Sequence, residues 1–438
     1  MANQDLATSD TAAPIRQRSA QEPAAAPWRW RLLVLGLVLA AVNLRPTVTS
    51  LGPLLEEVRA DLGMSGTVAG LLTSMPAACF ALFGVAAPRL ARRWGPGAVV
   101  CAGLAAITAG LAVRPLVGGT AAFLAASALA LAGIAVGNVL MPVVVKRWFP
   151  DRVGPMTGLY SMAMSLGTAV AAAVTVPVTD ALGGGWRAGL GTWAVLAAVA
   201  VPPWLVLARD RTRDRTGGGA ATEAAPAAAS AAAPDAPAAS SAAPARTRIS
   251  KSPTAWALAV FFGLQATGAY ITMGWMPQVF RDAGVSAPTS GLLLAVTMVM
   301  GVPLSFVLPP VAARLRSQGP LVAILGAFGL SGYAGLWLAP AQGAWVWAVL
   351  LGVSNCSFPL ALTMIGMRAR SAAGVVRLSA FAQSTGYLLS IPGPLLVGAL
   401  YQHSGGWDLP IVLMAGLMLP QIAAGLLAGR DRAVEDEI

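Results

Sequence analysis

The sequence predicts an all-α membrane protein of twelve transmembrane helices arranged as two six-helix pseudo-repeat halves. The 438 residues are 56% hydrophobic and only 11% charged, with a mean hydropathy of +0.69, which is far too apolar for an ordinary soluble domain. Runs of about twenty apolar residues, the length that crosses a bilayer as a helix, recur through the chain. The one long polar break divides these runs six and six, and the runs on either side echo one another, a pattern typical of secondary carriers.

In order, the spans fall at 32–53, 66–88, 97–116, 119–145, 155–179 and 188–208, then at 254–279, 288–311, 319–339, 343–366, 374–400 and 407–428. Residues 1–30 form a polar, Ala/Pro-rich tail, read as disordered and cytoplasmic rather than as a cleavable leader. The N-terminal half occupies 31–208. The stretch 209–252 is rich in Ala, Pro, Ser and Gly and buries nothing, so it reads as a flexible linker. The C-terminal half occupies 253–429, and 430–438 is a short tail. Cys79, Cys101 and Cys356 lie singly within spans and read as packed thiols without metal or disulfide spacing.

A net charge of +11 would suggest nucleic acid in a soluble chain, but its placement follows the membrane rule instead. With the N-terminus inside, the outer turns take only Arg59, Arg114, Arg187 and Arg281, and Arg45 lies within a span; the rest of the 29 Lys and Arg fall in inner segments. This asymmetry puts both termini in the cytoplasm and the chain in the bacterial inner membrane.

The halves align on Gly63 and Gly284, which also pairs Asp61 with Asp282, Ser65 with Ser286 and Gly70 with Gly291. In the fourth and tenth spans an Asn-x-x-x-Pro recurs as NVLMP (138–142) and NCSFP (355–359). PRLARRWGP (88–96) echoes ARLRSQGP (313–320).

Arg45 is the only charge read as deep in a span. An Arg at the bilayer centre costs roughly 2.5 to 3.5 kcal/mol on insertion scales, so it faces a bundle interior or a wet cavity. Pro46 removes a helix donor beside it, and Asn43 adds an amide. A guanidinium fork among neutral donors suits an anion or a nitro group. Asn138 and Asn355 each precede a proline by four residues, which frees a carbonyl next to the amide; they serve either the substrate or helix packing. Gln265 and Tyr270 in the seventh span, and Gln383 and Tyr387 an i, i+4 pair in the eleventh, either line a polar cavity or bond helix to helix. Trp275 reads as an interfacial anchor or a vestibule aromatic.

No Asp or Glu lies deep in a span and the single His403 falls in an outer turn. Neither a proton relay nor an enzyme's acids, bases, metal ligands or cofactor cradle is visible. Titrating coupling would need Glu56, Glu57, Asp61 or Asp180 to reach the cavity from the rim.

The chain resembles the major facilitator superfamily over nearly all of 28–430. NLRPTVTSLGPLLEEVRADLG (43–63), GNVLMPVVVKRWFP (137–150), GLQATGAYITMGWMPQ (263–278) and LSAFAQSTGYLLSIPGPLLVG (378–398) are similar to its cyanate and nitroimidazole transporter branch, CynX/NimT. The resemblance implies the major facilitator fold, alternating access, and a cyanate-like or nitroimidazole-like solute. It also implies a monomer that needs the lipid bilayer and no nucleic acid. Arg89, Arg92, Arg93 and Gly95 then resemble a degenerate form of the superfamily's cytoplasmic gating motif, with Leu90 and Ala91 where its Asp is expected. Multidrug export, or a non-transporting sensor built on the same fold, are the alternative functions.

Overall fold

The structure, a computed structural model, describes residues 27–209 and 249–437. Most of the tail and linker read from the sequence lie outside the described residues.

The first span is discontinuous: α1 (Pro27–Asn43), a break at Leu44 and Arg45, then α2 (Pro46–Thr49), a short 3-10 turn (Gly52–Leu54) and α3 (Leu55–Leu62). The remaining N-terminal spans are α4 (Gly66–Trp94), α5 (Pro96–Val113), α6 (Thr120–Trp148), α7 (Val153–Ala181) and α8 (Trp186–Arg209). The seventh span is α9 (Pro253–Asp282), the eighth α10 (Ala287–Val299) with α11 (Gly301–Arg314), and the ninth α12 (Gly319–Leu338). The tenth is α13 (Ala344–Asn355) with α14 (Ser357–Met367), the eleventh α15 (Ala372–Ser390) with α16 (Pro392–Ser404), and the twelfth α17 (Asp408–Ala428). Eleven of these described runs are long and apolar enough to cross a membrane. The remaining crossing, α15 with α16, carries Arg377, Ser379, Gln383 and Tyr387, which lower its hydropathy, and Pro392 interrupts it.

Local chemistry sets the corners of the repeat. Gly63, with φ of 62°, ends α3 in the left-handed region, and Ser65 then caps α4 by accepting from the Val68 N–H. Gly284, with φ of 90°, and Ser286, which accepts from the Thr289 N–H, repeat this between α9 and α10. The aligned aspartates do the same work too. Asp61 accepts from the Trp186 indole at 3.2 Å and pairs with Arg187, while Asp282 accepts from the Trp407 indole at 2.8 Å and from the Tyr401 hydroxyl at 2.8 Å. Each half thus ties the end of its first span to the start of its sixth.

The charge distribution assigns the end bearing Gly63, Gly184, Gly284 and Gly405 to the outside, and at that outer end the halves meet. Gly66 and Gly70 of α4 lie against the backbone of Gly398 and Leu395; a Cβ on Gly70 would sit 2.8 Å from the Leu395 Cα. On the opposite seam, a Cβ on Gly291 of α10 would sit 2.6 Å from the Ala172 carbonyl of α7. Only glycine permits backbones this close. Thr67 donates to Gln402 at 3.0 Å through its N–H, and Arg281 pairs with Glu57 at 2.8 Å. The outer end is sealed.

Candidate functional site

The break in the first span places Arg45 between α1 and α2 with φ of −128°, outside the helix on either side. Pro46 follows, so no N–H is available to continue the α1 ladder there. The Val42 carbonyl lies against Gly167 of α7, where a Cβ would come within 2.3 Å of it. The half-buried Arg45 side chain reaches across to the C-terminal half. Its guanidinium lies within hydrogen-bonding reach of the Tyr270 hydroxyl on α9, and its charge acts on Tyr387 of α15. No ion pair with Arg45 occurs among the described residues.

Aromatic rings frame this group. Phe80 of α4 stacks on Tyr387 with centroids 5.2 Å apart and planes at 18°, and Phe262 of α9 meets the other side of Tyr387 edge-on at 5.1 Å. Next to it on α9, Gln265 is 4% exposed and donates through Nε2 to Asn355 Oδ1 at 3.3 Å, while its own Oε1 has no partner. Asn355 is the last residue of α13, where the tenth span breaks at Cys356. A guanidinium, two phenols and an amide pair from both halves therefore converge where a small polar solute could bridge the halves.

The other sequence candidates lie elsewhere. Asn43 is buried and spends its amide on the Leu39 and Leu196 carbonyls at 2.8 and 3.3 Å, joining α1 to α8. Asn138 donates to the Ile134 carbonyl of its own helix at 3.0 Å, and α6 runs unbroken past Pro142. The two asparagines thus differ although their motifs match: the proline interrupts the tenth span and not the fourth. Gln383 bonds Ser379 one turn back at 2.7 Å. Trp275 is fully buried and donates to Thr73 Oγ1 at 3.1 Å across the outer seam, so it is neither an interfacial anchor nor an open vestibule ring. Arg89 bonds the Val85 carbonyl of its own helix at 3.2 Å; Arg92 is exposed, and Arg93 lies 5.4 Å from the Trp94 ring. Gly95, at φ of 77°, makes the turn from α4 to α5, the one part of that motif with a geometric requirement.

One expectation is corrected outright. Arg114, placed by the sequence in an outer turn, is 1% exposed, and its Nη1 donates to the Thr47 carbonyl at 3.2 Å. Arg45 is therefore not the only buried charge. A single Arg at the end of an apolar run looks the same in sequence whether it faces water or folds inward. The rim carboxylates are also placed: Glu56 pairs with Arg59 at 3.1 Å, Glu57 with Arg281 and Asp61 with Arg187, and Asp180 is exposed.

Comparison with known proteins agrees with this architecture. The Major Facilitator Superfamily profile matches residues 33–394. The chain is 32% identical to the 2-nitroimidazole transporter of Escherichia coli (strain K12) over 406 residues, covering 92% of this chain and 96% of that one. It is 30% identical to the cyanate transport protein CynX of the same organism, covering 88% and 95%. In fold it is similar to a D-xylose–proton symporter, with a TM-score of 0.66 at 13% identity over 94% of this chain and 99% of that one. The chain belongs to the Major Facilitator Superfamily, in the branch of the cyanate and 2-nitroimidazole transporters, and is a multi-pass membrane transporter of small solutes rather than an enzyme.

Proposed function

We propose that this protein moves a small anionic or electron-rich solute, of the cyanate or nitroimidazole kind, across the bacterial inner membrane. It acts as a monomer with both termini in the cytoplasm, by rocking of one half against the other. The observation that carries this reading is the Arg45 guanidinium, held at a helix break and facing Tyr270 and Tyr387 of the opposite half without a carboxylate partner. A solute that neutralises this charge interacts with both halves at once, which is how binding biases a two-state carrier. Because the rim carboxylates are held in ion pairs or exposed, the cycle is facilitated diffusion or solute exchange rather than transport driven by a titrating side chain.

Uptake into proteoliposomes of cyanate, nitrate, nitrite, acetate and 2-nitroimidazole tests the reading. Arg45→Gln should bring uptake of the preferred solute close to background, and Arg45→Lys should leave a weakened activity that lacks the planar fork. Normal uptake by a well-inserted Arg45→Gln protein would remove the central charge from the mechanism.

A further inference from the structure

Outward of the Arg45 cluster lies a small chamber bounded by Thr47, Thr73, Arg114, Ser127, Tyr270 and Gly274. Arg114 dominates its chemistry. Phe123 covers one face of the guanidinium, 4.8 Å from centroid to Cζ, and Nη1 is spent on the Thr47 carbonyl. The remaining edge, Nε and Nη2, has no partner in the protein, and neither do the Thr47 Oγ1 and Ser127 Oγ hydroxyls. All three residues are at most 2% exposed. No ion pair to Arg114 occurs among the described residues.

These features specify a ligand. An arginine keeps its charge at any pH a cell reaches, and its Nε/Nη2 edge is the fork that meets two acceptor atoms of one planar anion. Buried donors left without acceptors are rare because each is costly, and here four such groups belong to one chamber. Water-sized centres can occupy ≈ 20 Å³ of it, more than the roughly 10 to 15 Å³ that one water requires, so it has room for a few heavy atoms and excludes a heteroaromatic ring. We propose that this chamber is a second, occluded binding subsite for a small planar monoanion, set between the central cluster and the outer seal. Tyr270 borders both sites, since it lines the chamber and lies in reach of Arg45. Thr73, on the same wall, holds the Trp275 bond of the seal. The inference deepens the proposed function by giving the solute a staging point on the outer side.

Equilibrium binding of radiolabelled formate to the full-length protein in nanodiscs tests the subsite separately from Arg45. Wild type should bind two formates per chain and Arg45→Gln one. Ser127→Asp delivers a tethered carboxylate into the chamber, so Arg45→Gln/Ser127→Asp should bind none, while Ser127→Asn leaves the second site filled. Arg114→Lys keeps the charge and loses the fork; it should weaken one of the two sites at least tenfold, and it gives the same reading if the Asp variant does not fold. If Arg45→Gln binds none, the chamber holds only water and the proposal is wrong. Binding unchanged by both Ser127→Asp and Arg114→Lys would overturn it as well. Loss on Ser127→Asp with no effect of Arg45→Gln would support the subsite while sinking the central role of Arg45.

Discussion

Where the N-terminal half breaks its first span at Leu44 and Arg45, the C-terminal half runs the counterpart, α9, unbroken from Pro253 to Asp282. The register that pairs Gly63 with Gly284 sets Ala266 opposite Arg45, so the guanidinium has no partner by symmetry. At the outer corners, by contrast, the halves agree residue for residue: Asp, left-handed Gly, capping Ser, and an indole bound to the Asp. The frame is symmetric, as two bodies that rock on each other require. The centre is not, because one half brings fixed charge and the other brings phenols and amides. A solute seated there is held by a charge from one side and dipoles from the other, so its binding energy depends on how the halves stand.

Breaking the symmetric frame should have the largest effect. Gly70→Val and Gly291→Val each put a side chain into the backbone of the opposite half. Overpacking of this kind costs about 1 to 3 kcal/mol, about 5- to 150-fold in the population of the outer-sealed state. Each variant should lose at least about tenfold in transport, on the same arithmetic, and should admit an impermeant thiol reagent to a cysteine placed at Thr73. A loss on one seam only would show that the halves do not rock about a common axis.

The asymmetric centre is sharpened by removing single hydroxyls. Tyr270→Phe deletes a partner of a charged group, worth about 1.5 to 3 kcal/mol, and should weaken solute affinity about ten- to hundredfold. Tyr387 feels the Arg45 charge from farther off, so Tyr387→Phe should cost about 0.5 to 1.5 kcal/mol. Initial-rate kinetics in proteoliposomes separate the two. Wild-type KM in both would mean that the C-terminal half supplies shape alone.

A smaller effect should come from the rim. Glu57→Gln breaks the ion pair to Arg281 across the halves; these side chains are 35% and 22% exposed, so the pair contributes roughly 0 to 1 kcal/mol. Outer accessibility should rise by up to about fivefold at low salt and return toward wild type at high salt. Asp61→Asn removes a pair confined to one half and should leave accessibility unchanged. A larger response to Asp61→Asn than to Glu57→Gln would contradict this division of roles.

The corners were legible in the sequence because capping and left-handed glycine are local chemistry, written within a few residues of Gly63 and Gly284. Arg45 stood out because a charge inside an apolar run is costly and adjoins a proline. The partners of Asn43, Asn138 and Asn355 were not legible. All three are amides in helices, and only tertiary placement decides whether the nearest acceptor belongs to the same helix, to α8, or to Gln265. Arg114 was misplaced for a related reason: its sequence position is an outer helix end, but its fork points back to α2.

The smallest expected effect lies at the inner end of the C-terminal half, in a contact to which the N-terminal half contributes nothing. Glu437 accepts from the Thr254 N–H at 3.1 Å, from the Thr254 hydroxyl at 2.7 Å and from the Ser252 hydroxyl, fastening the C-terminal tail to the start of α9. Burial alone would raise this carboxyl, but the Ser252 and Thr254 hydrogen bonds and the Arg432 charge outweigh it and hold it below its ordinary 4.5. A carboxyl depressed on folding contributes stability that is present above its ordinary range and is lost as pH falls through the lower folded value. Val434, 3% exposed, is carried by the same tail, and its N–H bonds the Arg368 carbonyl at 2.8 Å. A cysteine at Val434 should therefore be protected from a thiol-reactive disulfide probe at neutral pH and become accessible as the pH drops below the carboxylate range. Glu437→Gln should give part of that accessibility at neutral pH, with transport nearly unchanged because the contact lies within one half. Protection that survives acid, or a Glu437→Gln variant that stops transport, would show that the tail is held by other groups or acts on the gate itself.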